Sequence, residues 1–346
     1  MRRLLLSVPI ALFQLAISFV APAQTPNLLS RTFVFSYQVH VPAENDARGR
    51  FLMWLPLPQQ DEYQKIRDLQ INSDAAYSLG RDSEYENPYI VFEPTQAQLE
   101  SGFDVTINFV ATRLEEKASL DTEIAKLISL KSSVGPELQR YLEPDDLIPL
   151  DGVIADLAGQ STAGDVTTLA AARHIYDYVV GSMRFDKSGD GWGRGDAVWA
   201  CTSKRGNCTD FHSVLIGMLR ASGIPARFGI GFQLPSDKSE GDILGYHCWA
   251  EFYLNSTGWV PVDASEAWEN PAKRNYFFGA LDVNRILFTY GRDLHLSIEQ
   301  KGDPLNYFIY PYAELNGKPF LGLQNHFSFR DISTDTTAVL HQVVQP

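Results

Sequence analysis

The stretch RGNCTDF at residues 205–211 decides the fold of this chain. Asn207 is a good N-cap residue, so the helix predicted over 207–222 begins there and carries Cys208 in its first turn. The unpaired N–H groups and the dipole at a helix N-terminus stabilise a thiolate and lower the pKa of the thiol. The surrounding sequence is polar and led by a glycine, unlike that of a buried cysteine in a core. These residues therefore predict a nucleophilic thiol.

A histidine and an aspartate follow Cys208 in order, each on a predicted strand. His247 lies in GYHCWAE at residues 245–251, and Asp263 closes GWVPVD at residues 258–263. The two residues are sixteen positions apart, about the length of a hairpin that places two side chains next to each other. The imidazole would then take the thiol proton, and Asp263 would hold the ring in one tautomer.

Two further side chains lie close to these positions in the sequence. His212 is one helical turn after Cys208 and is a rival base, but at this spacing we interpret it as a packing or supporting residue. Cys248 is next to His247 on the same strand and faces the opposite way, so we predict that it lies in the core.

The composition excludes several classes of partner and cofactor. The chain has 346 residues, and its net charge of −13 argues against nucleic acid and anionic membranes as partners. No Cys-x-x-Cys or His-x-x-x-His spacing occurs, so no metal site is predicted. Residues 186–196 begin like a calcium loop, but Ala197 stands where such a loop needs a bidentate Glu. We expect no cofactor.

The cysteine count bears on the redox state of the nucleophile. Three cysteines leave at least one free thiol, while Cys201 has two possible partners, Cys208 and Cys248.

The first 23 residues have the pattern of a signal peptide. Two arginines precede a nearly unbroken apolar run, and Ala-Pro-Ala at 21–23 supplies small residues at the cleavage site. The alternative is an uncleaved membrane anchor, because 17 apolar residues (4–20) just reach spanning length. With cleavage at 23, we expect a periplasmic or secreted protein that has no membrane contact after processing.

The hydrophobic periodicity divides the rest of the chain into three parts. Residues 24–116 alternate with a period of two and predict an N-terminal β-sandwich domain. Residues 117–300 would form the catalytic core, with strands at 227–234, 246–254 and 259–262 in one antiparallel sheet. Residues 301–346 are a C-terminal β segment.

Four helices are predicted before the one that carries the cysteine. They cover residues 120–130, 136–142, 150–157 and 165–183, and the last has Asp165 as its N-cap.

Several blocks resemble the transglutaminase-like cysteine hydrolase superfamily, in its bacterial exported branch. They are GNCTDFHS (206–213), SGIPAR (222–227), HCWAE (247–251) and GWVPVD (258–263). The resemblance is specific over roughly residues 165–300, including FFG (277–279) and YGRD (290–293), and faint elsewhere. The resemblance implies an α+β fold, with a papain-like core in which the helix bearing the cysteine packs on an antiparallel sheet. It also implies that Cys208, His247 and Asp263 are nucleophile, base and orienting acid. Animal transglutaminases use calcium, and here the calcium pattern is broken.

The residues and the resemblance together favour an exported thiol amidase or peptidase that acts on a peptide or protein through a thioester. Protein crosslinking by amine transfer is an alternative within the same chemistry. An alternative of another class is a non-catalytic binding or scaffold protein of the cell envelope.

Overall fold

The computed structural model describes residues 29–44, 48–120, 127–130 and 134–332. The predicted signal peptide (1–23) and most of the helix predicted over 120–130 lie outside these residues. No helix in the described ranges is both long enough and apolar enough to cross a bilayer.

The strands of the described ranges are numbered in chain order. They are β1 (Ser30–Val41), β2 (Phe51–Pro56), β3 (Gln64–Asn72), β4 (Ala76–Arg81), β5 (Pro88–Glu93), β6 (Phe103–Leu114), β7 (Glu116–Lys117), β8 (Arg184–Phe185), β9 (Arg205–Gly206), β10 (Ala226–Gln233), β11 (Glu240–Asp242), β12 (Tyr246–Leu254), β13 (Gly258–Val262), β14 (Ala280–Leu281), β15 (Arg285–Tyr290), β16 (Tyr312–Leu315), β17 (Lys318–Pro319) and β18 (Gln324–Asp331).

Most helices of the same ranges lie between residues 152 and 269. The helices are α1 (Gln96–Ser101), α2 (Gly152–Ser161), α3 (Thr168–Ser182), α4 (Ala197–Ser203), α5 (Cys208–Ala221) and α6 (Ala264–Glu269), with 3₁₀ turns at Pro136–Leu142 and Pro271–Lys273.

Two five-stranded sheets form the β-sandwich that the N-terminal alternation predicts. One has the order β11-β18-β1-β6-β3 and the other β17-β16-β2-β5-β4. The inward row of β1, which includes Phe33 and Phe35, is fully buried and shares one hydrophobic core with Met53 and Phe92 of the second sheet. Burial of each such aromatic side chain contributes about 1.5–3 kcal/mol. The ring of Phe35 also packs on Phe232 of β10 and Phe288 of β15, with ring centres 5.5 Å and 5.6 Å away, so this row joins the first sheet to the core.

The C-terminal segment completes these two sheets. β18 pairs antiparallel with β1 in a register that places Phe329 opposite Phe35, and β16 pairs with β2. The sandwich is therefore built from both ends of the chain, with the core between them in sequence.

The predicted catalytic core contains a separate, four-stranded antiparallel sheet with the order β13-β12-β10-β15. Its first three strands confirm those predicted at 227–234, 246–254 and 259–262, and β15 is an additional edge strand. Helix α5 packs against β12 and is almost completely buried along its length. The fold is thus the α+β arrangement expected, with the cysteine helix on an antiparallel sheet.

One predicted helix boundary is wrong. Helix α3 begins at Thr168 with Thr167 as its N-cap, and the hydroxyl of Thr167 accepts from the N–H of Ala170 at 3.4 Å. The carboxylate of Asp165 instead hydrogen-bonds the ring of His174 at 2.8 Å. Both residues are acceptable N-caps, so local sequence could not separate them.

Candidate active site

Cys208 is the first residue of helix α5, as the N-cap signal predicted. The side chain of Asn207 accepts from the N–H of Asp210 at 3.4 Å, and the carboxylate of Asp210 accepts from the N–H of Asn207 at 2.9 Å, which together form a capping box. The thiol is 4% exposed, at the positive end of the helix dipole. Helix N-terminal geometry therefore supports a negative charge on the sulfur.

Asp210 also fixes the glycine-rich loop beside the thiol. Its two carboxylate oxygens accept from the N–H groups of Gly193 at 2.6 Å and Gly195 at 3.0 Å. Gly206 has a φ of +152°, and a Cβ there would lie 2.3 Å from Oδ2 of Asp210, so only glycine fits. The sequence placed Asp210 in the cysteine block without predicting this loop contact.

His247 and Asp263 are brought together by the pairing of β12 with β13. The Nε2 atom of His247 lies 2.7 Å from Oδ2 of Asp263, and both side chains are buried. A carboxylate only accepts, so Nε2 carries the proton and Nδ1 is left for the sulfur. Asp263 is in turn the N-cap of α6, because its Oδ1 accepts from the N–H of Glu266 at 3.0 Å.

Arg285, on β15, is a buried partner of Asp263 that the sequence did not predict. Its Nη1 atom donates to Oδ2 of Asp263 at 3.0 Å, and its guanidinium lies 5.2 Å from the ring centre of Trp249. Burial opposes ionisation of Asp263, but the charge and hydrogen bond of His247, together with Arg285, hold the pKa of this carboxyl well below its usual range. Asp263 is thus a permanent anion behind the imidazole.

The thiol and the imidazole form a charge-matched pair. A hydrogen bond from Cys248 and the hydrogen bond and charge of His247 overcome burial and place the pKa of Cys208 well below its ordinary value. Burial works against a charged ring at His247, but Asp263 and Cys208 raise the pKa of His247 well above its usual value. These opposite shifts favour a thiolate next to an imidazolium.

Part of the chain matches a known family. Residues 155–264, which include Cys208, His247 and Asp263, match the Transglutaminase-like superfamily, so this part of the chain is a transglutaminase-like domain. The chain is 26% identical over 320 residues to an uncharacterized protein of Haemophilus influenzae, across 83% of this chain and 86% of that protein.

Two solved structures align with this chain, and the first of them shares its fold. A crystal structure named "Putative Cysteine Protease from Cytophaga hutchinsonii" superposes with a TM-score of 0.61 at 14% identity, over 90% of this chain and 93% of that one. The periplasmic domain of TgpA from Pseudomonas aeruginosa aligns with a TM-score of 0.35 at 16% identity, over 72% and 91% of the two chains.

Cys248 lies in the core of the transglutaminase-like domain, as predicted, but it also contacts the candidate site. It is fully buried, and its sulfur is 3.7 Å from Oγ1 of Thr209 and 3.7 Å from Nδ1 of His212. Burial and the neighbouring thiolate raise the pKa of Cys248 well above its ordinary value, so its S–H stays protonated and can donate to Cys208. Cys248 and His247 point to opposite faces of β12, but helix α5 packs on the face that carries Cys248. Cys248 is therefore close to the candidate site as well.

His212 contacts Cys248, and its ring is not oriented to act as the base for Cys208. Its Nε2 accepts from the N–H of Ala264 at 3.1 Å, so in the neutral ring the proton lies on Nδ1 and faces Cys248. Burial lowers the pKa of His212, which keeps the ring neutral. The interpretation of His212 as a supporting residue is consistent with this geometry.

Tyr246 lines the approach to the thiol and was not singled out by its sequence. Its hydroxyl accepts from Nδ2 of Asn207 at 3.0 Å and lies 2.8 Å from Oγ1 of Thr209. Its ring packs against Tyr307 and Tyr310, with ring centres 5.3 Å and 6.0 Å away. The only sequence signal was its position directly before His247.

The structure also gives the pairing state of the cysteines and the contacts of the calcium-like loop. Cys201, Cys208 and Cys248 are all free, so neither pairing open to Cys201 is formed. In the described part of the chain no group of three or more His, Cys, Asp or Glu side chains is placed to hold a metal ion. In the calcium-like loop, Asp186 accepts from the N–H of Ser188 at 2.8 Å, which is an ordinary turn contact.

Proposed function

We propose that the chain is an exported cysteine-dependent amide hydrolase that acts on peptides or proteins through a thioester. The observation that carries the proposal is the 2.7 Å contact between His247 and Asp263, together with a thiol of Cys208 that is close enough to raise the pKa of the His247 imidazole. Each of the three groups has the charge that its proposed role requires, because the pKa values of thiol and imidazole shift in opposite directions.

The first half of the reaction forms the acyl-enzyme. The thiolate of Cys208 attacks the amide carbonyl carbon, a C–S bond forms, and the carbonyl π electrons move to oxygen. The N–H of Cys208, the first residue of α5, would stabilise that oxyanion, because the N–H groups of Thr209 and Asp210 already donate to Asn207. The imidazolium of His247 donates its Nδ1 proton to the departing nitrogen, and the C–N bond breaks. The amine departs, and the acyl group stays on Cys208 as a thioester.

The second half restores the thiolate. The neutral imidazole takes a proton from water, and the hydroxide oxygen adds to the thioester carbonyl. The tetrahedral intermediate collapses with cleavage of the C–S bond, which yields a carboxylic acid product and the thiolate–imidazolium pair. An amine that replaces water would instead form a new amide, which is the crosslinking alternative.

Two observations support hydrolysis in the envelope or outside the cell as the first choice. The name of the Cytophaga structure refers to a cysteine protease, and the fold is shared over 90% of this chain. Residues 1–23 have the composition of a signal peptide, which supports a periplasmic or secreted location.

The test compares purified wild-type protein with Cys208→Ala on a panel of peptide and small-amide substrates, read by mass spectrometry. Cys201→Ala, which removes another buried thiol, is the matched control and should keep full activity. A new carboxylate indicates hydrolysis, and a crosslink with release of ammonia indicates amine transfer. Turnover by Cys208→Ala equal to the wild-type rate would eliminate the nucleophile, and a chain inactive on every substrate would favour the binding-protein alternative.

A further inference from the structure

The edge of the first sandwich sheet is only half covered, and the uncovered half runs toward the candidate site. β11 pairs with β18 from Glu240 to Asp242, and one more bond joins the N–H of Ile243 to the carbonyl of Phe327 at 2.9 Å. The chain then leaves the sheet, and four residues later it reaches His247, at most about 13 Å along an extended backbone.

The departure of the chain leaves backbone groups of β18 facing open space. Since the carbonyl of Phe327 points toward β11, the N–H and C=O of Asn325, two residues away, also point away from β1. Among the described residues, the backbone pairing along this edge stops at Phe327, before Asn325. Unpaired strand edges are templates for another strand.

A cavity of about 350 Å³ fills the gap between the β18 edge and the departing chain. Ile243 and Phe327 give it apolar walls, and Leu244, 99% exposed, stands at its rim. This volume is at the lower end of those that hold ligands, enough for a short stretch of extended chain.

An aromatic surface connects the cavity to the thiol. The ring of Tyr310 lines the cavity and lies 6.0 Å from the rings of both Phe327 and Tyr246. The hydroxyl of Tyr246 binds Asn207, the residue before Cys208. A chain of contacting side chains therefore links the open edge to the start of helix α5, where Cys208 lies.

We propose that an extended segment of a peptide or protein substrate docks along the open half of the β18 edge as an added strand that continues the line of β11. Backbone hydrogen bonds to Asn325 supply affinity, and the cavity accepts an apolar side chain of the segment. The segment leads past Tyr310 to the thiol. This inference deepens the proposed function by naming the substrate as an extended polypeptide instead of a small amide.

The test measures binding without turnover, so that it can be separated from the catalytic proposal. Random twelve-residue peptides on phage are selected on Cys208→Ala, and the best binder is synthesised with fluorescein for anisotropy titration. Asn325→Pro, made in the same Cys208→Ala protein, removes the outward N–H while sparing the ladder to β1, and should weaken binding roughly 5- to 10-fold. Asn325→Ala keeps that N–H and should bind within about twofold of its parent.

A second measurement guards against a misfolded variant. The same peptide with N-methyl groups on alternate backbone nitrogens cannot pair as a strand and should lose binding to the unaltered edge. Equal binding by Asn325→Pro with a native circular dichroism spectrum, full binding by the N-methylated peptide, or failure to select any binder would each overturn the proposal. A dimer in mass photometry that Asn325→Pro abolishes would also overturn it, because a second copy would then occupy the edge. Absence of turnover by the wild-type protein refutes only the proposed function.

Discussion

The Nε2 atom of His247 lies 2.7 Å from Oδ2 of Asp263, and the same oxygen accepts from Nη1 of Arg285 at 3.0 Å. A buried cation thus stands behind the carboxylate and lets it remain charged in the interior. The arrangement separates two functions, since Asp263 orients the imidazole while Arg285 stabilises Asp263.

Asp263→Asn tests the orienting role. The amide can donate to Nε2 and force the wrong tautomer, so kcat should fall by about 10³- to 10⁴-fold, the range seen for such changes in hydrolase triads. Steady-state kinetics provide the measurement, on whichever substrate the peptide and amide panel identifies. Circular dichroism checks that the variant is folded. A kcat within twofold of wild type would remove Asp263 from the mechanism.

Arg285→Ala tests the buried support. It leaves Asp263 without one of its two charged partners, so the free energy of unfolding should fall by about 3–5 kcal/mol. Urea titration followed by tryptophan fluorescence measures this change. Arg285→Lys keeps the positive charge and should lose less, and equal losses in the two variants would contradict a role for charge.

Cys248 should tune the reactivity of Cys208. Its hydrogen bond is the largest contribution that lowers the pKa of Cys208, so Cys248→Ala should move the thiol's titration to higher pH. Cys248→Ser keeps a donor and should move it less. The readout is the pH dependence of iodoacetamide alkylation at Cys208, followed by peptide mass spectrometry. A packing defect alone would lower the melting temperature and leave that titration in place.

The pH–rate profile should be a broad bell. A lowered pKa of Cys208 means that the thiolate is already present below the ordinary cysteine value of about 8.5, so activity rises on the acid side of that value. A raised pKa of His247 means that the imidazolium persists above its ordinary value of about 6.5, so activity is lost only at higher pH. A profile of kcat/KM that rises through pH 8.5 would show that the thiol is not activated.

Glu116 should make stability depend on pH in the opposite sense to most carboxylates. Burial, helped by the charge of Glu251 and opposed by Arg113, raises the pKa of Glu116 to about 7. The folded state then holds a proton that the unfolded state has lost, so stability falls as pH rises from about 4.3 to 7, by up to about 3 kcal/mol.

Urea titrations at pH 5 and pH 8 measure this effect. Glu116→Gln cannot titrate and should show a smaller loss of stability between the two pH values than the wild type. An identical loss in both proteins would assign the pH dependence to other groups.

Much of the fold followed from local patterns in the sequence. Asn207 and Gly223 bracket helix α5 because an N-cap acceptor and a residue at φ +76° are local backbone requirements. The alternation of Phe33 and Phe35 marked the inner face of β1 for the same reason, since side chains on a strand alternate. Placing Asp165 at the start of α3 was wrong, because Thr167 competes for the same role.

Long-range contacts were outside the reach of such patterns. The pairing of Phe329 with Phe35 joins residues from opposite ends of the chain, and no local rule selects one strand partner among many. The role of Arg285 was missed because a single arginine on a strand is ordinary until Asp263 is placed beside it.

The sequence by itself determined the candidate catalytic groups and the sandwich pattern: a thiol at a helix start, a histidine on one strand, an aspartate directly after the next strand, and the period-two alternation. These are properties of neighbouring residues, and the backbone converts them directly into helices and strands. Only the tertiary structure decided which groups surround the thiol and what charge they hold, from Cys248 beside the sulfur to Arg285 behind the carboxylate. Such charges depend on desolvation and on distances between segments far apart in the chain, and both exist only after the chain has packed.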